Sequence, residues 1–219
     1  MGRVMKMKRD SLRIVFIVLF LFFVVNLQGV KSVPLVRIQI GGVPIVEIPS
    51  DAIIDMKDEA SGPRIAELYE MGKLLVFYGE ASTPSPFPEE GYKKAREEAF
   101  IRIAQYVELR AKVAESKVSA TVSSPLLSRT QSLMKRIISI STDTNFGGAK
   151  DILRYRLKRS GELARYVVVV LFDPEELLNT IKMSKEYLEM EKQARAMGEA
   201  GLEFFQQLNA VLEEALEGM

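Results

Sequence analysis

The chain has no cysteine and no histidine. The first absence excludes a disulfide framework, a thiol nucleophile and every thiolate-ligated metal site. The second excludes Ser-His-Asp and Cys-His catalysis, His-ligated zinc, and the side chain that titrates nearest to neutral pH. An enzyme made from these 219 residues would run on carboxylates, lysine or tyrosine, as glycosidases do with two carboxylates.

One long apolar run stands out. Ile14 to Val25 (IVFIVLFLFFVV) follows the basic residues Arg3, Lys6, Lys8, Arg9 and Arg13. A charged start leading into a short apolar core is the pattern of an export signal. Spanning a bilayer takes roughly 20 residues and a signal core takes about 7–15. Val30-Lys31-Ser32 places a valine and a small residue at the two positions a signal peptidase inspects. Residues 1–32 are therefore expected to be a signal peptide cleaved after Ser32. The alternative is an N-in signal anchor through residues 14–30, with Asn26 and Gln28 near the interface. Either way the expected location is the cell envelope, periplasmic or surface, beyond the cytoplasmic membrane.

Residues 33–219 carry 24 of the 30 Lys and Arg and 28 of the 29 Asp and Glu, a net charge of −4. General nucleic-acid binding needs a basic excess, so no nucleic-acid partner is expected. This length supports one modest core, or one core and an appendage.

Residues 33–49 read as a hairpin, since Gly41-Gly42 separates LVRIQI from PIVEI and paired glycines suit a tight turn. The polar stretch SDAIIDMKDEASG follows as a linker with at most a short helix, and Pro63 opens a helix to about Met71. KLLVFYG, from Lys73 to Gly79, has strand composition. TPSPFPEEG is a proline-rich loop before a helix from about Glu89 to Val118. At 100° per residue Ala95, Ala99, Ile103, Val107 and Ala111 advance along one side of that helix, wide enough to lie on a sheet. Arg96 and Arg110 fall inside the apolar arc, where stems pack and guanidinium groups reach out or pair. Ser124-Pro125 starts another helix to about Ile140, and Asp151–Arg159 and Leu163–Phe172 form a second hairpin. Val167 to Phe172 is apolar on both faces, which puts that strand in the middle of a sheet.

Asp173-Pro174-Glu175-Glu176 is a strong helix start, with an acceptor cap, a first-turn proline and acids on the dipole. The helix is expected to reach Glu217. From Tyr187 it keeps three-four spacing through Met190, Ala194, Met197, Gly201, Phe204, Leu208, Val211 and Ala215, a coiled-coil signal. Met190, Met197, Phe204, Leu208 and Val211 are the candidate self-association face. About 44 residues at 1.5 Å each make some 65 Å, longer than the domain is wide. The expectation is a break near Gly198 or a projecting helix, with folding back on the domain as the plain alternative.

The order strand ending in glycine (FYGEAS), helix with recurrent alanines (KAREEAFIRIAQYVELRAKV), second helix, then two strands ending in YVVVVLF resembles the LPP-twenty family. These are small envelope lipoproteins related to the N-terminal domain of a flagellar T-ring protein. The resemblance runs from about Lys73 to Leu178. It implies an envelope protein without transferable catalytic residues. Family members commonly carry a lipid-bearing cysteine at the signal junction, which this chain lacks.

Arg154, Arg156 and Lys158 alternate on one strand face, with Arg159 and Arg165 nearby, and form a candidate strip for an anionic partner. A plain solvated strand face gives the same pattern. Glu97-Glu98 and Glu175-Glu176 are adjacent on helices and point apart, so neither makes an acid/base pair. No catalytic, cofactor or metal residues are assigned.

The expected architecture is α+β: a small antiparallel sheet covered on one face by two helices, with an N-terminal hairpin and a long C-terminal helix as appendages. The divisions are 1–32 (signal peptide or signal anchor), 33–60 (hairpin and linker), 61–173 (α+β domain) and 174–219 (amphipathic helix). The expected function is non-catalytic protein–protein interaction or assembly in the envelope. Its partners would be envelope proteins, a second copy through the C-terminal helix, and the membrane if the leader is uncleaved. The competing class is an extracytoplasmic hydrolase using paired carboxylates.

Overall fold

The computed structural model describes residues 33–84, 87–119, 124–141, 143, 146, 148–158 and 163–217. The leader, the side chain of Lys158, Arg159 and the turn after it lie outside the described residues. Gly41 and Gly42 both take positive φ (59° and 79°), the backbone of a tight hairpin. They fold β1 (Leu35–Ile40) onto β2 (Val43–Pro49), with Ile40 opposite Val43. The next stretch is a strand, β3 (Ile53–Lys57), followed by a 3-10 turn over Glu59–Ser61 and helix α1 (Gly62–Glu70), which has Pro63 in its first turn.

The remaining elements are strand β4 (Leu75–Pro84), helices α2 (Pro88–Ser119) and α3 (Ser124–Ser141), and strands β5 (Ala149–Lys158) and β6 (Leu163–Phe172). Three helices close the chain: α4 (Pro174–Lys182), α5 (Lys185–Ala196) and α6 (Glu199–Glu217). Strands β3-β5-β6-β4 form one antiparallel sheet in that order, and β1-β2 forms a second. The fold is α+β, and β6 is central, as its run of valines requires.

Two expectations about this sheet are corrected. It has a fourth strand, β3, where the sequence suggested a linker. IIDMK is short and charged because it is an edge strand, with a register shift between Ile54 and Met56 that twists the edge. The sheet is also covered on both faces. Tyr166, Val168, Val170 and Phe172 of β6 join the helices in one core. Val167, Val169 and Leu171 point the other way, into a second core with Ile38, Ile40, Val43, Ile48, Ile65 and Leu68. The N-terminal hairpin and α1 are therefore the second cover of the sheet, not appendages. Tyr78 Oη donates to the Ile45 carbonyl (3.1 Å) and fastens the hairpin to β4.

On the helix face, α2 is 32 residues long, about 48 Å, while a ten-residue strand spans about 33 Å. Its first half lies on the sheet. Tyr92 stands edge-on to Tyr166 with ring centroids 5.1 Å apart, and Tyr106 meets Phe77 at 5.7 Å. Its second half runs on to pack against α3 and α6. The approach of α2 to β4 is close because the contact residues are small. A Cβ placed on Gly79 would lie 1.8 Å from the Ala95 carbonyl oxygen and 2.5 Å from the Ala99 nitrogen.

The expected single C-terminal helix is three helices. Asp173 caps α4, accepting from the Glu175 and Glu176 N–H groups at 3.1 and 3.4 Å. The helix stops at Met183, and Ser184 caps α5 by accepting from Tyr187 N at 3.4 Å. Gly198, at φ 76°, makes the second break at the expected place. All three helices fold back: Leu177, Ile181, Met190, Leu208 and Leu212 lie in the helix-side core.

Candidate functional site: an arginine cluster between sheet and helix

The basic residues of β5 alternate because a strand sends successive side chains to opposite faces. Leu153, Tyr155 and Leu157 take the hairpin side. Arg154 and Arg156 therefore take the helix side, at the margin where the first turns of α2 overhang β5 and β3. They do not stand on an open outward face. Arg154 Nη2 and Nε donate to Asp151 Oδ2 at 2.7 and 3.1 Å, and its guanidinium lies 5.8 Å from the Tyr92 ring centroid. Arg96 of α2 donates from Nε to the other oxygen of Asp151 at 2.9 Å and stacks over Phe100 at 4.7 Å. Asp151 thus accepts from an arginine of the sheet and an arginine of the helix.

Asp55 of β3 extends the cluster. Tyr92 donates its hydroxyl to Asp55, and Arg156 Nε lies 3.2 Å from the same carboxylate oxygen. The separation of that last pair is an ion-pair distance, yet the Nε–H makes no hydrogen bond. The contact is therefore one of charge without a directed bond. Burial, then the Asp55 carboxylate, push the Tyr92 phenol well above its ordinary value. Burial likewise pushes Tyr155, on the opposite face, up to about 12.

Three arginines, two aspartates and a tyrosine make a cluster whose charges are largely spent on one another. It clamps the start of α2 to the β3–β5 edge. Of the proposed anionic-partner strip, the structure brings Arg154 and Arg156 together but gives each a carboxylate. Arg165, the neighbour on β6, pairs with Glu80. Arg110, the other basic residue in the apolar arc of α2, stacks on Tyr106 at 5.2 Å.

A second polar group, absent from the sequence reading, joins α1 to the start of α4. Arg64 donates to Asp173 (2.8 Å), Glu67 (2.7 Å) and Glu175 (2.5 Å). These bonds, Asp173 first, raise the guanidinium above its ordinary value. Lys150 reaches Asp58 at 2.7 Å and Ser61 at 3.0 Å, and its bond, then that of Ser61, hold the Asp58 carboxyl below the usual 3.8. Between them is an open cleft of about 240 Å3 lined by Ser61, Arg64, Lys150, Asp173 and Glu176. Two acids line it, as a carboxylate hydrolase would need. However, one Asp173 oxygen accepts from two helix N–H groups and the other from Arg64, so neither is left to face a substrate. The signal for this group lay in Asp173 as a cap. Its arginine is 109 residues away, beyond the reach of local pattern.

The candidate self-association residues fall on facing helices. Met190 and Leu208 are fully buried, Phe204 nearly so, Val211 half-buried, and Met197 exposed at the bend. Tyr187 packs on Phe205 with centroids 5.2 Å apart and donates its hydroxyl to Asn209 Oδ1 at 2.8 Å. The apolar stripe of α5 closes on that of α6 within one chain.

Among the described residues no group of three or more metal-ligating side chains converges, and no helix is long and apolar enough to cross a membrane. No family model, curated protein or solved structure matches the chain.

Proposed function

We propose that the chain is an exported, non-catalytic cell-envelope protein of the kind the LPP-twenty resemblance implies, acting through contacts with envelope proteins. The observation that carries this reading is the seat of α2 on β4. The glycine of FYGEAS and the first alanines of the following helix, the small residues on which the resemblance rests, meet backbone to backbone at Gly79, Ala95 and Ala99. The order strand, long helix, second helix and hairpin around that seat is the order the resemblance implies. The polar clusters support it as well, since Asp151 is taken up by arginines, Asp173 by Arg64 and helix N–H groups, and Asp58 by Lys150.

Attachment to the envelope would rest on residues 14–30 if the leader is retained, and release on cleavage after Ser32. N-terminal sequencing of the native protein separates the two, because a chain still starting near Met1 removes cleavage. Pull-down from detergent-solubilised envelope with the tagged chain is expected to enrich envelope proteins over a tag-only control. Recovery of the protein solely from the cytoplasmic fraction would sink the reading. The hydrolase alternative draws on the cleft beside Asp173. It would gain if Glu176→Gln abolished a hydrolytic activity of the purified chain while leaving its circular dichroism unchanged.

A further inference from the structure

The bend between α5 and α6 holds a contradiction that points to a second copy of this chain. The apolar three-four stripe runs without a phase change from Tyr187 to Ala215, through the bend. A stripe that keeps phase across a break suits one continuous helix of 33 residues, about 50 Å long, as well as it suits two short ones. Gly198 sets the closed form apart, and Gly201 shapes the pairing. Gly198 takes a φ of 76°, which costs other residues roughly 1–2 kcal/mol. Gly201 lets the start of α6 touch the end of α5, since a Cβ there would lie 2.2 Å from the Ala194 carbonyl oxygen. In a straight helix Gly198 has no task and weakens it by about 1 kcal/mol relative to alanine.

The closed pairing is antiparallel and close to symmetric about Gly198. Tyr187 meets Phe205 and Asn209, and Ala194 meets Gly201. Such a pairing re-forms residue for residue when two straightened helices lie antiparallel, α6 of each copy entering the seat the other has vacated. That seat includes α2 and α4 as well as α5, through ion pairs Lys117–Glu214 (2.9 Å) and Lys182–Glu213 (3.0 Å). The hinge backbone profits from straightening. Gly198 N bonds only to the Arg195 carbonyl, a tight-turn bond that becomes a regular helical one.

We propose that the α5–α6 hairpin is an exchangeable arm that opens at Gly198 and swaps α6 with a second copy, giving a two-fold dimer. Exchange of an identical element is a low-cost route to dimers, because every contact except the hinge is native in both forms. The inference is independent of the envelope reading and survives its failure.

The cysteine-free sequence gives a clean test. Full-length Lys117→Cys and Glu214→Cys chains, each with one thiol, are mixed in detergent, unfolded in urea, refolded together and treated with a short bis-maleimide. Exchange puts the thiol of one chain beside that of the other, so covalent dimers should form in the mixture well above either chain alone. Gly198→Ala relieves both hinges of the dimer, and it should raise the dimerisation constant by roughly a thousandfold. Gly201→Ala adds a carbon to the Ala194 contact of either form, so it should weaken the pairing without the gain in dimerisation that Gly198→Ala gives. Circular dichroism checks that each variant is folded. Cross-linking in the wild-type hinge that grows in Gly198→Ala supports exchange. A mixture no more cross-linked than the single-chain controls in the wild-type hinge overturns it for this chain, whatever the alanine variants do.

Discussion

Replacing Gly79 by alanine tests the packing of the whole helix layer with a single carbon. The added Cβ would stand 1.8 Å from the Ala95 carbonyl oxygen, where ordinary contact begins near 3.4 Å. The strand or the helix must therefore retreat by about 1.6 Å. Neither neighbouring atom can swing aside, because both Ala95 O and Ala99 N belong to the backbone of α2. A radial gap of 0.5–1 Å already forfeits a quarter to a half of the dispersion attraction at a contact. A lift of this size would loosen Ala95, Ala99 and Ile103 on β4 and disturb Tyr106 against Phe77. Overpacking ordinarily costs about 1–3 kcal/mol, and with no side chain free to relax the expected cost is at the top, about 3 kcal/mol. Urea unfolding of the chain should show the midpoint falling by roughly 1.5 M at an m-value of about 2 kcal/mol per M. Gly42→Ala, at φ 79° with nothing within 4 Å of the new Cβ, carries only the backbone penalty of about 1 kcal/mol. If Gly79→Ala costs no more than Gly42→Ala, the close seat of α2 on β4 is wrong.

Asp151→Asn should remove about 1.5–3 kcal/mol, because it strips two half-buried arginines of one acceptor, and a cycle with Arg96→Gln should recover a coupling in urea unfolding. Glu90→Gln, a test of the exposed pair with Lys94, should leave the midpoint unchanged. Burial raises Tyr78, Tyr92, Tyr155 and Tyr187, so their contribution is intact below the unfolded value of about 10 and is lost as pH climbs, for Tyr155 toward about 12. Absorbance at 295 nm should then show late ionisation that coincides with loss of the far-ultraviolet helix signal. Reversible titration of all seven tyrosines near pH 10 with the signal intact would refute it. Asp58 is shifted the other way, so its contribution is present above about pH 4 and is lost as pH falls through its lowered value. Lys150→Gln should move its carboxyl carbon titration, read by NMR, up toward 3.8.

Local pattern carried much of this fold, and its failures have particular causes. The paired glycines of the first hairpin, the valine run of β6, the Asp173 cap and the alanines of α2 each state a local requirement, and each was legible. Strand β3 was not, because an edge strand needs only half its residues apolar, and Asp55 and Lys57 looked like a linker. The second face of the sheet was hidden for another reason. Val167, Val169 and Leu171 announced that something must cover them, but nothing local says that the covering is Ile38, Ile40 and Ile48, more than a hundred residues earlier. The Arg154–Asp151–Arg96 cluster divides the same way. The alternating basics of β5 were visible, and Arg96 was expected to reach out or pair. That both reach one aspartate became visible only when α2 was laid over β5.

The break before Ser184 does have a signal in the sequence, one that a search for a single stripe passes over. Leu177, Leu178 and Ile181 face the core in α4, and the next inward apolar residue is Tyr187, six positions later, with the buried cap Ser184 between, where an unbroken apolar stripe would demand three or four. A change of phase beside a serine able to cap is a stop and a restart. The bend at Gly198 lacks that change of phase, and the difference separates the two breaks physically. At Ser184 the apolar face itself changes direction, so a straight helix through it would turn one of its faces to water. At Gly198 the face is continuous, and closure as against exchange rests on the backbone of that one glycine. The first break is fixed by burial; the second is set by backbone preferences of a few kcal/mol, and that is the scale on which a second copy competes.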